Sequence, residues 1–164
     1  MTIEQINNTE IKKKAVRKIL EALPDWFGIE EAREHYIMES TQQICIGAVE
    51  DAEYVGILCL KETGKDTLEL AVMGVLKEYH RQGTGRKMFM RAKDMAREKG
   101  YSFLQVKTVQ MGRYENYDDT NRFYISLGFK EFEVFPTLWD EANPCQIYVM
   151  SIEERAAESA EMLK

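Results

Sequence analysis

The most chemically dense stretch of the chain is Val75-Leu76-Lys77-Glu78-Tyr79-His80-Arg81-Gln82-Gly83-Thr84-Gly85-Arg86-Lys87, which passes from a strand-like run to a helix-like one through two glycines. A helix start leaves its first backbone N–H groups without intrahelical partners, and the helix dipole places positive potential at the same point. Gly83 and Gly85 carry no side chain to block a ligand from those donors, so the turn is suited to a phosphate. Arg81, Arg86, Lys87 and Arg91 crowd that end. Unpartnered cations there oppose the dipole at a cost on the order of 0.3 to 1 kcal/mol each, which is understandable if a polyanion occupies the turn. The bland alternative is a solvated basic face. A nucleoside-triphosphate loop would need a Gly-Lys-Ser/Thr ending, and a dinucleotide fingerprint a third glycine; neither is present. A coenzyme A pyrophosphate is the third reading.

The periodicity of the chain tells what must position this turn. Ile3 and Ile6 fit a short edge strand. Ile11, Ala15, Ile19, Leu20 and Leu23 share one helical face, with Thr9 able to cap the start and Pro24 closing the run. Ile29, Ala32, Arg33, Tyr36 and Ile37 repeat that spacing in a second helix to Ser40, with His35 off the stripe. The period then falls to two over 43–49, 54–60 and 67–76, three strands that short turns join most economically as an antiparallel meander. Met88, Ala92, Met95 and Ala96 restore the helical period, Gly100 ends it, and Phe103–Val109 is a further strand. A tyrosine-rich loop over 113–119 leads to a helix from Thr120 to Leu127, capped by Asp118 or Asp119 and stopped by Gly128. Two strands, 129–135 and 145–152, separated by a loop around Trp139-Asp140, form a closing hairpin. The order β-α-α-β-β-β-α-β-α-β-β predicts one mixed α/β (α+β) domain over 1–164, with a mostly antiparallel sheet of six to seven strands flanked by helices. Residues 153–164 are expected as a terminal helix outside its core.

Composition narrows the function. The 164 residues carry 22 basic and 28 acidic side chains, a net charge of −6, which argues against coating nucleic acid or an anionic membrane. No apolar run reaches the ~18 residues of a membrane span. Cys45, Cys59 and Cys145 are odd in number, widely spaced and set in apolar strands, so they read as buried reduced thiols, and a cytoplasmic location is expected. No Cys/His/Asp cluster has ligand-like spacing, and no metal is expected.

The turn resembles the Gln/Arg-x-x-Gly-x-Gly/Ala acyl-CoA signature of the GNAT acetyltransferase superfamily, and the element order resembles that family's fold up to the terminal helix. The resemblance implies that the backbone of Arg81, Gln82, Gly83, Thr84, Gly85 and Arg86 holds the pyrophosphate of acetyl-CoA while Met73, Gly74 and Val75 face the pantetheine arm. His80 stands where the family usually has Gln or Arg. Arg122-Phe123-Tyr124-Ile125-Ser126-Leu127-Gly128-Phe129 is similar to the family's phenylalanine-tyrosine, leucine-glycine-phenylalanine stretch, whose tyrosine approaches the CoA sulfur. The resemblance thus makes Tyr124 the general acid, with Phe123, Leu127 and Phe129 as core. Tyr117 replaces an asparagine often found there.

Glu69, on the strand entering the signature, is the candidate base implied for an amine whose ordinary pKa is about 10.4. Regular alternation puts Glu69, Ala71 and Met73 on one face; the competing reading is an exposed rim glutamate. A bulge at Gly74 would free a backbone N–H of Gly74 or Val75 for the thioester oxygen.

The activity this implies is transfer of acetyl from acetyl-CoA to a primary amine of a small molecule or peptide, by direct attack in a ternary complex. Cys145, apolar in its surroundings and without a paired histidine, makes a poor alternative nucleophile. A non-catalytic acyl-CoA-binding module is the alternative. Glu115, Asp118 and Asp119 among Tyr114 and Tyr117 could draw a cationic acceptor, and Trp139, Asp140 and Glu141 border another variable acceptor region. A homodimer is left open; nucleic-acid and membrane partners are not expected.

Overall fold

The computed structural model describes residues 1–153, so the terminal helix expected over 153–164 lies almost wholly outside the described residues. Seven strands form one sheet in the order β1-β2-β3-β4-β5-β7-β6. They are β1 (Thr2–Ile6), β2 (Ile44–Glu50), β3 (Glu53–Gly64), β4 (Thr67–Val75), β5 (Phe103–Val109), β6 (Lys130–Asp140) and β7 (Asn143–Ser151). Every pairing is antiparallel except β4 with β5, which a helical crossover joins; β1 and β2, also separated by helices, pair antiparallel. The expected mixed, mostly antiparallel sheet is therefore present.

The helices are α1 (Thr9–Glu21), α2 (Pro24–Phe27), α3 (Glu30–Ser40), α4 (Thr84–Glu98) and α5 (Glu115–Leu127). Their details correct several expectations. Asn8, not Thr9, caps α1, its side-chain oxygen accepting from the Ile11 N–H at 3.0 Å. Ile11 is exposed, and Pro24 opens the short α2 instead of merely closing α1, in keeping with the preference of proline for a first helical turn. The loop expected over 113–119 is largely helix: α5 starts at Glu115 after Tyr114, and Asp118 inside its first turn accepts from the Gly112 N–H at 2.7 Å. Trp139 and Asp140 belong to β6, whose ladder with β7 is interrupted between Phe135 and Asp140; Pro136 lies in that gap with no N–H to donate.

Two apolar clusters sandwich the sheet. On one face α4 buries Met88, Phe89, Ala92, Met95 and Ala96 against Ile46, Leu58, Leu68 and Leu104. On the other, Val16, Ile19 and Leu20 of α1 and Ile37 of α3 pack on Cys45, Ile57 and Val72. A fully buried side chain of this size contributes roughly 1.5 to 3 kcal/mol, so both helical layers are held mainly by these contacts. All three cysteines are free and fully buried.

The strand that matters most is β4. Cys59 pairs with Val72 and Leu60 with Leu70, so Ala71 is one residue too many and forms a bulge. Leu68 and Leu70 enter the α4-side cluster, Val72 enters the α1-side cluster, and Met73 and Val75 return to the α4 side. Regular alternation, which would keep Glu69 and Met73 on one face, does not survive this inserted residue. The strand also leaves its neighbour here: β4 and β5 pair only from Thr67–Phe103 to Glu69–Gln105 and then diverge. The splay starts at Glu69, and the bulge lies at Ala71 rather than Gly74.

Candidate active site

The divergence of β4 and β5 opens a cleft of about 1100 Å³, lined by β4 from Leu70 to Val75 and by β5 from Val106 to Val109. A smaller lobe of about 560 Å³ adjoins it and holds Glu69; Tyr36, Leu70, Ala71, Lys107 and Trp139 line both.

At one end stands the glycine turn. Arg81 (φ 60°) and Gly83 (φ 80°) are both left-handed, a conformation costly for arginine and tolerated by glycine, and together they fold the chain into the first turn of α4. Gly83 caps that helix with no side chain taking its N–H groups, and nothing lies within 4 Å of where a Cβ would stand on Gly83. The cradle is thus open to an incoming anion. Gly85 is small for a different reason: a Cβ there would come 3.0 Å from both Met73 and Phe123.

Among the described residues no ion pair involves Arg81, Arg86 or Lys87, whereas Arg91 lies 3.8 Å from Glu98. The donor set and the unpaired cations fit a diphosphate. Of the six residues 81–86, only Gln82 does not line the cleft; its amide turns back to donate to the Glu78 carbonyl at 2.9 Å. His80 donates from Nε2 to the Val75 carbonyl at 2.6 Å and meets Trp26 edge to face at 6.2 Å, fastening the turn to β4 and α2.

Met73, Gly74 and Val75 all line the cleft wall. The Leu76 N–H donates to Val55 of β3, so strand alternation turns the N–H of Val75 away from β3 and into the splay, and that of Gly74 toward β3. Between the two candidate donors, Val75 is the open one.

Tyr124 lines the cleft, 8% exposed, its ring packed on Phe123, Phe129 and Tyr148 at 5.8, 5.9 and 6.4 Å. Burial, aided by nearby Tyr36, pushes its hydroxyl well above the ordinary tyrosine value and keeps it protonated. Its helix is anchored by Asn121, which donates to the carbonyls of Val109 and Tyr117 at 2.8 and 2.7 Å and accepts from the buried Tyr148 hydroxyl at 2.6 Å.

Glu69 is 9% exposed, so the exposed-rim reading fails. Lys107 Nζ stands 3.0 Å from its Oε1, yet that oxygen accepts no aligned hydrogen bond: it has a charge partner without a directed one. Tyr36 lines both the lobe that holds Glu69 and the cleft that holds Tyr124. Its phenol is pushed up first by burial and then by the charges of Glu69 and Glu39, and it acts in turn on Tyr124. The Cys145 thiol, pushed up to about 11 by burial, is the wrong kind of group for a nucleophile at neutral pH.

Tyr36, Lys107 and Arg33 are residues whose place in the cleft the sequence did not reveal as chemistry. Ile29, Ala32, Arg33 and Tyr36 form a helical stripe, but the stripe faces the cleft instead of the core. Of the three acids expected to draw an acceptor, two are engaged, Asp118 holding Gly112 and Asp119 pairing with Arg122 at 3.0 Å, while Glu115 opens α5. Tyr117 lines the cleft, its hydroxyl donating to the Trp26 carbonyl at 3.4 Å.

A sheet splayed beside a parallel crossover, with an uncapped helix start at one end of the gap, defines an acyl-CoA-dependent transferase architecture. The family model described as "Acetyltransferase (GNAT) domain" matches residues 40–131, more than half of the chain, and the chain belongs to that family. Solved structures agree on the fold. An aminoglycoside 6'-N-acetyltransferase from Enterococcus faecium superposes with a TM-score of 0.75 at 19% identity, covering 94% of this chain and 99% of its own. An aminoglycoside 6'-N-acetyltransferase complexed with coenzyme A gives 0.74 at 20%, with 94% and 99% covered. IAA acetyltransferase from Bacillus cereus gives 0.69 at 21%, with 92% and 98% covered. A comparison with curated protein sequences finds no match. Among the described residues no helix is long and apolar enough to cross a membrane, and no group of three or more His, Cys, Asp or Glu could hold a metal ion.

Proposed function

We propose that the protein is an N-acetyltransferase that moves acetyl from acetyl-CoA to a primary amine of a small molecule or peptide by direct attack. The observation that carries this reading is one continuous opening, from the uncapped α4 start past Tyr124 to Glu69, created by the divergence of β4 from β5. Bound acetyl-CoA supplies an activated thioester carbonyl. The backbone of 81–86 and the side chains of Arg81 and Arg86 hold its diphosphate, and Met73, Gly74 and Val75 guide its arm along the unpaired edge of β4.

Glu69 accepts the proton that the amine sheds as nitrogen bonds to the acetyl carbon. The Val75 N–H donates to the carbonyl oxygen as charge gathers there. Tyr124 donates the proton taken up by the departing sulfur. A buried phenol stays protonated at neutral pH, and the same burial that raises it raises the basicity of the thiolate forming beside it, so the proton has a matched acceptor. We place this work in the cytoplasm, with residues 1–164 acting as one domain.

Thioester consumption over an amine panel, combined with calorimetry of coenzyme A binding, tests the reading. Turnover with at least one amine is expected. Saturable binding without turnover on any amine would identify a non-catalytic acyl-CoA-binding module, and an absence of binding at millimolar coenzyme A would sink both. Glu69→Gln is expected to keep cofactor affinity while lowering kcat about 10- to 100-fold.

A further inference from the structure

The smaller lobe carries a charge pattern of which the acetyl-transfer reading uses only Glu69. Its carboxylates are Glu31, Glu39 and Glu69, and two of them already face lysines: Glu69 lies 3.0 Å from Lys107 and Glu39 lies 3.8 Å from Lys61. The Glu69–Lys107 pair is the deeper, with side chains 11% and 33% exposed. Glu69 Oε1 is buried and accepts no hydrogen bond, and Lys107 donates none to any other group among the described residues, so the pair keeps unused hydrogen-bonding capacity that a ligand reaches through the Lys107 ammonium and the other Glu69 oxygen.

Opposite charges side by side form a local dipole, and its complement is a ligand with an amine and a carboxylate held equally close. A polycationic acceptor would find carboxylates in Glu31, Glu39 and Glu69, but at the deeper pair it would set an ammonium group instead of a carboxylate against Lys107, a like-charge contact that disfavours it there. Ile29, Ala32, Leu70 and Trp139 add apolar wall for the remainder of such a ligand.

We propose that the acceptor is an α-amino acid, its amine set against Glu69 and its carboxylate against Lys107, which makes Lys107 the residue that selects zwitterions over polycations. This rests on the acetyl-transfer reading for what happens to the amine, but the selectivity can be measured without turnover.

The test uses matched probes on the full chain saturated with coenzyme A: phenylalanine, phenethylamine, which is the same molecule lacking the carboxylate, and spermidine. Calorimetry is expected to show phenylalanine binding at least tenfold more tightly than either amine. Lys107→Met should bring phenylalanine and phenethylamine within about twofold of each other and tighten spermidine, while Lys107→Arg, which keeps the charge, should retain the preference. Equal affinity for phenylalanine and phenethylamine in the natural chain, or spermidine as its best ligand, would overturn the proposal. So would a preference unchanged in Lys107→Met that still binds coenzyme A. Should Lys107→Met lose coenzyme A binding through misfolding, Lys107→Arg decides: loss of the preference there, with coenzyme A binding intact, overturns the proposal. Parallel thioester assays separate the two readings, since selective phenylalanine binding without acetyl consumption removes the enzymatic reading and leaves the selectivity standing.

Discussion

At the α4 end of the cleft, the groups that face a ligand are backbone N–H donors delivered by one short stretch around Gly83; at the Glu69 end they are side chains from α3, β4, β5 and β6, drawn from positions 36, 69, 107 and 139. The first end is fixed by dihedral angles and a helix dipole, so most side-chain changes there leave its donors in place. The second is fixed by side-chain identity, so a single exchange can alter which molecule it accepts. A transferase that keeps one donor substrate while its acceptors vary needs this division.

The largest expected effect lies where the two ends meet. Tyr124→Phe should lower kcat by about 100-fold or more and leave acetyl-CoA affinity unchanged, the size usual for a positioned acid. Steady-state kinetics beside calorimetry reads both, and an equal turnover would remove Tyr124 as the acid. Gly83→Val attacks the backbone end directly. A β-branched residue at φ 80° is strained by roughly 1 to 2 kcal/mol, so coenzyme A should bind about tenfold more weakly, with acceptor preference intact.

Gly74→Ala probes the wall between them: a Cβ there would come 2.9 Å from Ile19 and from Leu23, and overpacking of about 1 to 3 kcal/mol should lower Tm by several degrees. The smallest effect is the pH dependence. Burial raises the folded values of Tyr124 and Cys145, the latter to about 11. Stability from Cys145 is fully present below the ordinary thiol value of about 8.5 and is lost as pH rises through about 11; the tyrosine contribution is lost only at higher pH, above about 10. Thermal melts should therefore be flat from pH 7 to 8 and fall above it, with Cys145→Ala making the first part of the fall shallower and the buried Cys59 thiol, also held above its ordinary value beside Cys45, supplying the remainder.

How legible each end was in the sequence follows from the same contrast. Gly83, Gly85 and their arginines are contiguous, so helix-start physics could be applied to them directly, and hydrophobic periods placed six strands and α1, α3 and α4, whereas β1 is too short for a period to decide and the pattern marks α5 only from Thr120. The acceptor end was opaque because Tyr36, Lys107 and Trp139 are far apart in the chain. Tyr36 sits on a stripe that reads as core, and Trp139 hangs from a ladder interruption that a pairing pattern does not announce. Glu69 was singled out by its place before the signature, but its burial and its lysine partner depend on where β4 and β5 part.

The extra residue at Ala71 acts on β4 like a frameshift in register. Glu69, before it, projects toward α3, whereas Met73, four residues later, projects toward α4, so one strand serves opposite sides of the sheet. Excising Ala71 alone would leave Glu69 and Met73 three places apart, still on opposite faces by two-residue periodicity, so the extra residue sets how far apart along the strand the two side chains stand. Drawing Ala71 into the regular ladder, by contrast, would set them an even number of places apart and turn one of them to the wrong side without removing any reactive group.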